Sequence, residues 1–138
     1  MALNISSKLT TIKLGPHKDE EMYVMKVNHY NTLNAEKVIQ YASDTSNIPK
    51  AVLRASWEVL GSVITAWTFE GHIVEIPGLG NIRAEVRAKA QSKAEDVTES
   101  DIFRRKLLLT PTREIKDALN AIPVNITCYD RDGNVIKR

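Results

Sequence analysis

Residues 76–89 read Ile76-Pro77-Gly78-Leu79-Gly80-Asn81-Ile82-Arg83-Ala84-Glu85-Val86-Arg87-Ala88-Lys89, a proline–glycine turn running into a strictly alternating segment. Ile82, Ala84, Val86 and Ala88 fall on one side, and Arg83, Glu85, Arg87 and Lys89 on the other. That period of two is the mark of a strand with one face covered and one face wet. The turn before it lacks the third glycine of a dinucleotide fingerprint and the lysine of a phosphate loop. It reads as a tight connection from a short strand at His72–Ile76.

Upstream lies the strongest helical pattern in the chain. Leu53, Trp57, Leu60, Ile64 and Trp67 recur at spacings of four, three, four and three, with Val52, Ser56, Val59 and Val63 in a row beside them. Pro49 stands where a helix tolerates proline, and Gly71 where a left-handed cap closes one. So wide an apolar stripe requires cover on two sides: a sheet on one and another helix on the other, from this chain or a second copy. An earlier helix is expected from Asn31-Thr32 or Asn34, with Leu33, Val38, Ile39 and Ala42 as its stripe. Ser43-Asp44-Thr45-Ser46-Asn47 should stop it, because these side chains compete for backbone groups.

Downstream, residues 90–101 hold no large apolar side chain except Val97 and should be solvated and mobile. Order resumes at Ile102-Phe103 and the strand-like Lys106–Leu109. Pro111 and Thr112 then open a short helix with Ile115, Ala118, Leu119 and Ile122 on its buried face, ended by Pro123. At the ends of the chain, residues 1–30 look like two strands about Gly15-Pro16-His17-Lys18-Asp19. Val124, Ile126 and Cys128 alternate towards a turn at Asp132-Gly133, with Val135-Ile136 returning.

The chain has 138 residues, 43% hydrophobic and 26% charged, which suits one soluble α+β domain. The amino-terminal residues carry scattered lysines and no apolar run, so no secretion signal is expected. The single cysteine, Cys128, rules out an internal disulfide framework and fits a reducing cytoplasm. His17, His29 and His72 lack metal-ligand spacing, and Cys128 displays no base partner. The acids Glu95, Asp96, Glu99 and Asp101 lack the spacing and loop glycine of a calcium site. No catalysis, cofactor, metal, membrane or small-molecule substrate is expected.

With 19 Lys+Arg against 17 Asp+Glu, net charge says little, and the placement of cations decides. Arg83, Arg87, Lys89 and Lys93 lie on one strand and its extension, and Arg104, Arg105 and Lys106 on the next. With four acids at the tip between them, charge alone fits equally a clasp on a polyanion that the tip avoids and an ordinary solvated hairpin.

The run Ile76-Pro77-Gly78-Leu79-Gly80-Asn81-Ile82-Arg83-Ala84-Glu85-Val86-Arg87 is similar to a Gly-Phe-Gly-x-Phe-x-Val-Arg motif. Leu109-Thr110-Pro111-Thr112-Arg113-Glu114-Ile115-Lys116-Asp117-Ala118-Leu119 is similar to a closing Phe-Lys-Pro-Gly-Lys-x-Leu-Lys motif, with Thr110 in place of its lysine. With two helices ahead of them, the stretch from about Leu33 to Leu119 resembles the HU and integration-host-factor family of bacterial histone-like DNA-binding proteins. The added terminal strands and the tip look more like a Bacteroidetes-type HU-like branch.

The resemblance implies an HU-like intertwined homodimer with a two-helix base, an antiparallel sheet, an extended β-arm and a short carboxy-terminal helix. A single HU-like domain over 1–138 would comprise a strand extension at 1–30, a core at 31–122 with its arm at about 87–105, and a β extension at 123–138. It makes Arg83, Arg87, Lys89, Lys93, Arg104, Arg105, Lys106, Arg113 and Lys116 contacts to the phosphates or minor groove of double-stranded DNA. Family arms carry an Arg-Asn-Pro motif whose proline wedges between base pairs. Residues 90–101 hold no proline, so electrostatic, sequence-tolerant binding with little kinking is expected in the nucleoid. The alternative is an HU-fold interaction module that no longer binds DNA strongly.

Overall fold

A computed structural model describes residues 1–138. The chain divides into two compact units, one contiguous over Leu33–Asp117 and one built from both ends, Met1–Thr32 with Ala118–Arg138.

The contiguous unit begins with α1 (Ala35–Ser46) and α2 (Lys50–Phe69). Of the two expected start points for α1, Asn34 is the cap: its side chain accepts the Lys37 N–H at 3.0 Å. The polar run Ser43–Asn47 does not stop the helix at its first residue. Thr45 Oγ1 donates to the Tyr41 carbonyl at 2.9 Å and Ser46 Oγ to Ala42 at 2.5 Å, so the hydroxyls bond back along the helix. The chain leaves only at Asn47, with φ of 59°. Pro49 takes the N-cap position of α2 without a side-chain hydrogen bond, and beyond the C-cap Glu70 stands Gly71, the expected left-handed residue, at φ of 94°. The N–H of Gly71 reaches Thr68 and that of His72 reaches Trp67, each at 3.1 Å, closing a Schellman motif.

Next come β3 (Val74–Ile76), β4 (Gly80–Ala88) and β5 (Ile102–Pro111), an antiparallel sheet in the order β3-β4-β5. His72 and Ile73 stay outside β3, because the helix cap consumes them. Between β3 and β4, the Leu79 N–H donates to Ile76 at 3.1 Å, with Pro77 and Gly78 at the corners and Gly78 at φ of 76°. That is the geometry of a type II turn, whose third position favours glycine. Gly80 meets a stricter demand: a Cβ there would lie 2.0 Å from the Thr110 carbonyl oxygen on β5. The returning strand is one piece from Ile102, and Pro111 completes it rather than opening a helix. Thr112 caps α3 (Arg113–Ala121), accepting the Ile115 N–H at 3.3 Å.

The second unit is a four-stranded sheet in the order β2-β1-β6-β7, from β1 (Leu3–Thr11), β2 (Glu21–Val27), β6 (Val124–Tyr129) and β7 (Val135–Lys137). The two end hairpins foreseen in the sequence are present. Their junction is new: β1 and β6 pair in parallel, Ile5 beside Ile126 and Ser7 beside Cys128. The Asp130 carboxylate organises the last turn, accepting N–H groups of Asp132 at 2.9 Å and Asn134 at 2.8 Å. No helix is long and apolar enough to cross a membrane.

Burial is sparse for a folded chain. Ile39 is the one buried hydrophobic side chain, joined by Ser7 and Thr68. On α2, Trp57 is 63% exposed, Leu60 61% and Trp67 54%. α2 packs on α1, β3 and β4, and Arg54 on α2 pairs with Glu36 on α1. These contacts leave most of the wide stripe uncovered, an arrangement that is unfavourable for a chain alone in water.

Candidate functional site

Register across β4 and β5 decides which cations share a surface. Arg83 stands opposite Leu108, Glu85 opposite Lys106, and Arg87 opposite Arg104. Directly opposed residues point to the same side of a sheet, so Arg83, Arg87, Arg104 and Lys106 lie on one face, with two acids, Glu85 among them and Glu75 at the β3 end opposite Asn81. The other face carries Ile82, Ala84, Val86, Leu107 and Leu109, as the alternation of β4 predicts.

Within the cationic face the charges are unequal. Glu85 accepts from Arg83 at 2.9 Å and lies 3.6 Å from Lys106, so it partly neutralises the end of the arm nearer the helices. Further out, Arg87 and Arg104 face each other, and neither meets a carboxylate. Like charges directly opposed across a ladder cost on the order of 0.2–1 kcal/mol. A bound anion would relieve that repulsion, and guanidinium forks suit phosphate oxygens.

Arg105 is separated from its neighbours in sequence. It stands opposite Val86 on the apolar face, and its guanidinium donates to Glu99 Oε1 at 2.8 Å. Beyond the strand, register shifts between Arg87 and Ala88: Ala88 pairs with Ile102, and Phe103 becomes the extra residue of a bulge. Lys89 and Lys93 lie in the tip segment. Arg113 and Lys116 are on α3, where Arg113 Nε is 3.8 Å from Asp117. The structure therefore joins four of the nine expected residues on one face and leaves Lys89, Lys93, Arg105, Arg113 and Lys116 elsewhere.

The tip is built rather than loose. Residues Ala94–Asp96 and Glu99–Asp101 each form a single turn of 3-10 helix. Asp101 accepts the Thr98 N–H at 2.9 Å and the Gln91 amide at 2.9 Å, while its carbonyl accepts the Lys89 N–H at 3.0 Å. The Thr98 hydrogen bond, followed by that of Gln91, holds the Asp101 carboxyl below its ordinary range. The polar composition of residues 90–101 does not by itself reveal this fastening. The spacing Thr98-Glu99-Ser100-Asp101, a capping-box pattern, is the signal that would have found it.

No group of three or more His, Cys, Asp and Glu side chains is placed to hold a metal ion. A cavity of about 630 Å³ is an open groove along α1 lined by Leu33, Val38, Tyr41 and Thr45 among others, none of them on the cationic face.

Comparison with known proteins follows the same outline. Residues 1–125 match a family model described as HU-HIG, an HU domain fused to wHTH, Ig, or Glycine-rich motif. No curated protein matches the chain. Among solved structures, a provisionally assigned bacterial DNA binding protein from Bacteroides vulgatus superposes with a TM-score of 0.64 at 12% identity. The superposition covers 91% of this chain and 49% of that one, so the chain spans about half the length of its structural neighbour.

Proposed function

The chain belongs to the HU-HIG family, and from that premise we propose that it is a non-enzymatic, sequence-tolerant DNA-binding protein of the nucleoid that works as a homodimer. Two copies pair through the exposed stripe of α2, placing Trp57, Leu60 and Trp67 in a shared core. Each copy extends the β4–β5 arm along double-stranded DNA, with Arg83, Arg87, Arg104 and Lys106 towards the phosphates. Lys89 and Lys93 contribute from the tip, Arg113 and Lys116 from α3, and Arg105 once it leaves Glu99.

The observation that carries this reading is the Arg87–Arg104 pair, two unneutralised guanidiniums held against each other by strand register. An isolated protein gains nothing from that placement, whereas a polyanion turns its cost into affinity. Counterion release would supply most of the binding energy, and base readout little.

A fluorescence-anisotropy titration with a random duplex at two salt concentrations tests the proposal. Binding that weakens steeply with salt is the expected result. No binding at low salt would overturn it and give the arm to a protein partner.

A further inference from the structure

The sheet built from both chain ends stops on one side at β2, whose outer edge carries no neighbouring strand. Its backbone directions follow from the ladder with β1. The Asn28 N–H donates to Asn4 at 2.9 Å and the Ile12 N–H to Glu20 at 2.9 Å, continuing at both ends the register that runs from Ile5↔Val27 to Thr11↔Glu21. Hydrogen-bonded pairs alternate with non-bonded ones in an antiparallel ladder. The even-numbered residues of β2 therefore direct their backbone groups at β1. Glu21, Tyr23, Met25 and Val27 direct theirs outward.

Nothing blunts this edge. It holds no proline and no bulge, and its only cation, Lys26, lies on the opposite face from Tyr23, Met25 and Val27. Tyr23 is 53% exposed, Met25 63% and Val27 39%. A seven-residue edge with an apolar face of this kind is a template for another strand. The far edge of the sheet, β7, offers only three residues.

We infer that β2 is a self-association surface, pairing antiparallel with β2 of a second copy about a two-fold axis at Val24. The strand is self-complementary in that register. A two-fold contact across an edge must continue each face into the same face and must oppose outward-pointing groups to outward-pointing groups. Centring on Val24 does both and uses the whole strand, with Tyr23 opposite the second copy's Met25 and Glu21 opposite its Val27. Tyr23 and Met25 then form aromatic–thioether contacts twice over. Glu21 sits at the margin, already held by Arg131. The apolar face that includes Ile5, Leu9 and Ile126 becomes continuous across both sheets. This contact is independent of the DNA reading. Combined with pairing through α2, it gives each chain two different two-fold interfaces, which generate either a closed ring of four or an open string.

The test uses the full chain. In a Cys128→Ser background, Val24→Cys places a thiol on the axis, opposite itself at a non-bonded position where Cα atoms approach to about 4.5 Å, within disulfide reach. Met22→Cys in the same background faces the second copy's Lys26 and serves as control. Rapid covalent dimer formation by Val24→Cys alone is the expected outcome; equal rates for the two would overturn the inference. Separately, Met25→Pro removes an outward N–H while sparing the ladder to β1. It should lower the mass measured by light scattering, to half for a closed ring and further for an open string, and an unchanged mass with unchanged circular dichroism would overturn the inference. If Met25→Pro unfolds the sheet, the cysteine pair decides.

Discussion

Arg87 and Arg104 stand directly opposite each other across the β4–β5 ladder, and no acidic side chain lies against either. Replacing both by threonine should therefore move two observables in opposite directions. Without DNA, stability should rise by roughly 0.2–1 kcal/mol as the repulsion disappears. With DNA, affinity should fall, and the slope of log affinity against log salt should shrink by about one per arginine lost from each engaged arm. Urea titration and anisotropy on the same preparations check the pair of signs.

Arg105 invites the opposite experiment. Its ion pair with Glu99 is exposed and worth little to stability, yet it occupies a guanidinium that strand register has already placed on the far face. Arg105→Ala should weaken DNA binding less than Arg104→Ala does. Glu99→Gln should strengthen binding several-fold by releasing a cation and removing a repelling charge. Equal losses for the two arginine variants would show that the faces are not distinguished by the ligand.

The tip should respond to acid. Hydrogen bonds from Thr98 and Gln91 lower the Asp101 pKa from its ordinary 3.8. A depressed carboxyl lends its stabilisation in full above the unfolded value and loses it as pH falls through the folded one. Protection of the Thr98 amide against hydrogen exchange should thus be flat near neutrality and decline below about pH 4. Asp101→Asn should reduce protection at neutral pH and abolish that dependence.

The glycines of the β3–β4 connection should differ sharply. Gly78→Ala strains only φ, with open space around the added carbon, and should cost about 1–2 kcal/mol. Gly80→Ala drives its Cβ into the Thr110 carbonyl and should cost 4 kcal/mol or more, at the level where folding fails. Urea midpoints of the two variants provide the comparison.

Much of this architecture is written locally. The Leu53–Trp67 periodicity, the Asn34 and Gly71 caps and the alternation from Ile82 to Ala88 each follow from side chains a few residues apart. The grouping of cations does not. Arg104, Arg105 and Lys106 are adjacent in sequence, and the run Leu107-Leu108-Leu109 gives no parity to separate them. Only pairing with β4 places Arg105 on the far face. The parallel β1–β6 contact is hidden for a related reason, since it joins residues from opposite ends of the chain. The tip is exposed, as its polar composition implies, but composition alone does not show that Asp101 uses that polarity to close a turn.

That parallel contact also orders events in time. β1 is synthesised before the arm-bearing unit, and its central neighbour β6 after it. Until β6 has been made, β1 can pair only with β2, and a hairpin alone is marginal in water. The contiguous stretch Leu33–Asp117 needs no strand made after it to complete its sheet β3-β4-β5. Synthesis therefore delivers the arm-bearing unit before the sheet that joins the two ends, and closing that sheet bears the loop entropy of everything between. Pulse-labelled hydrogen exchange during refolding should find the β4–β5 amides protected before those linking β1 to β6.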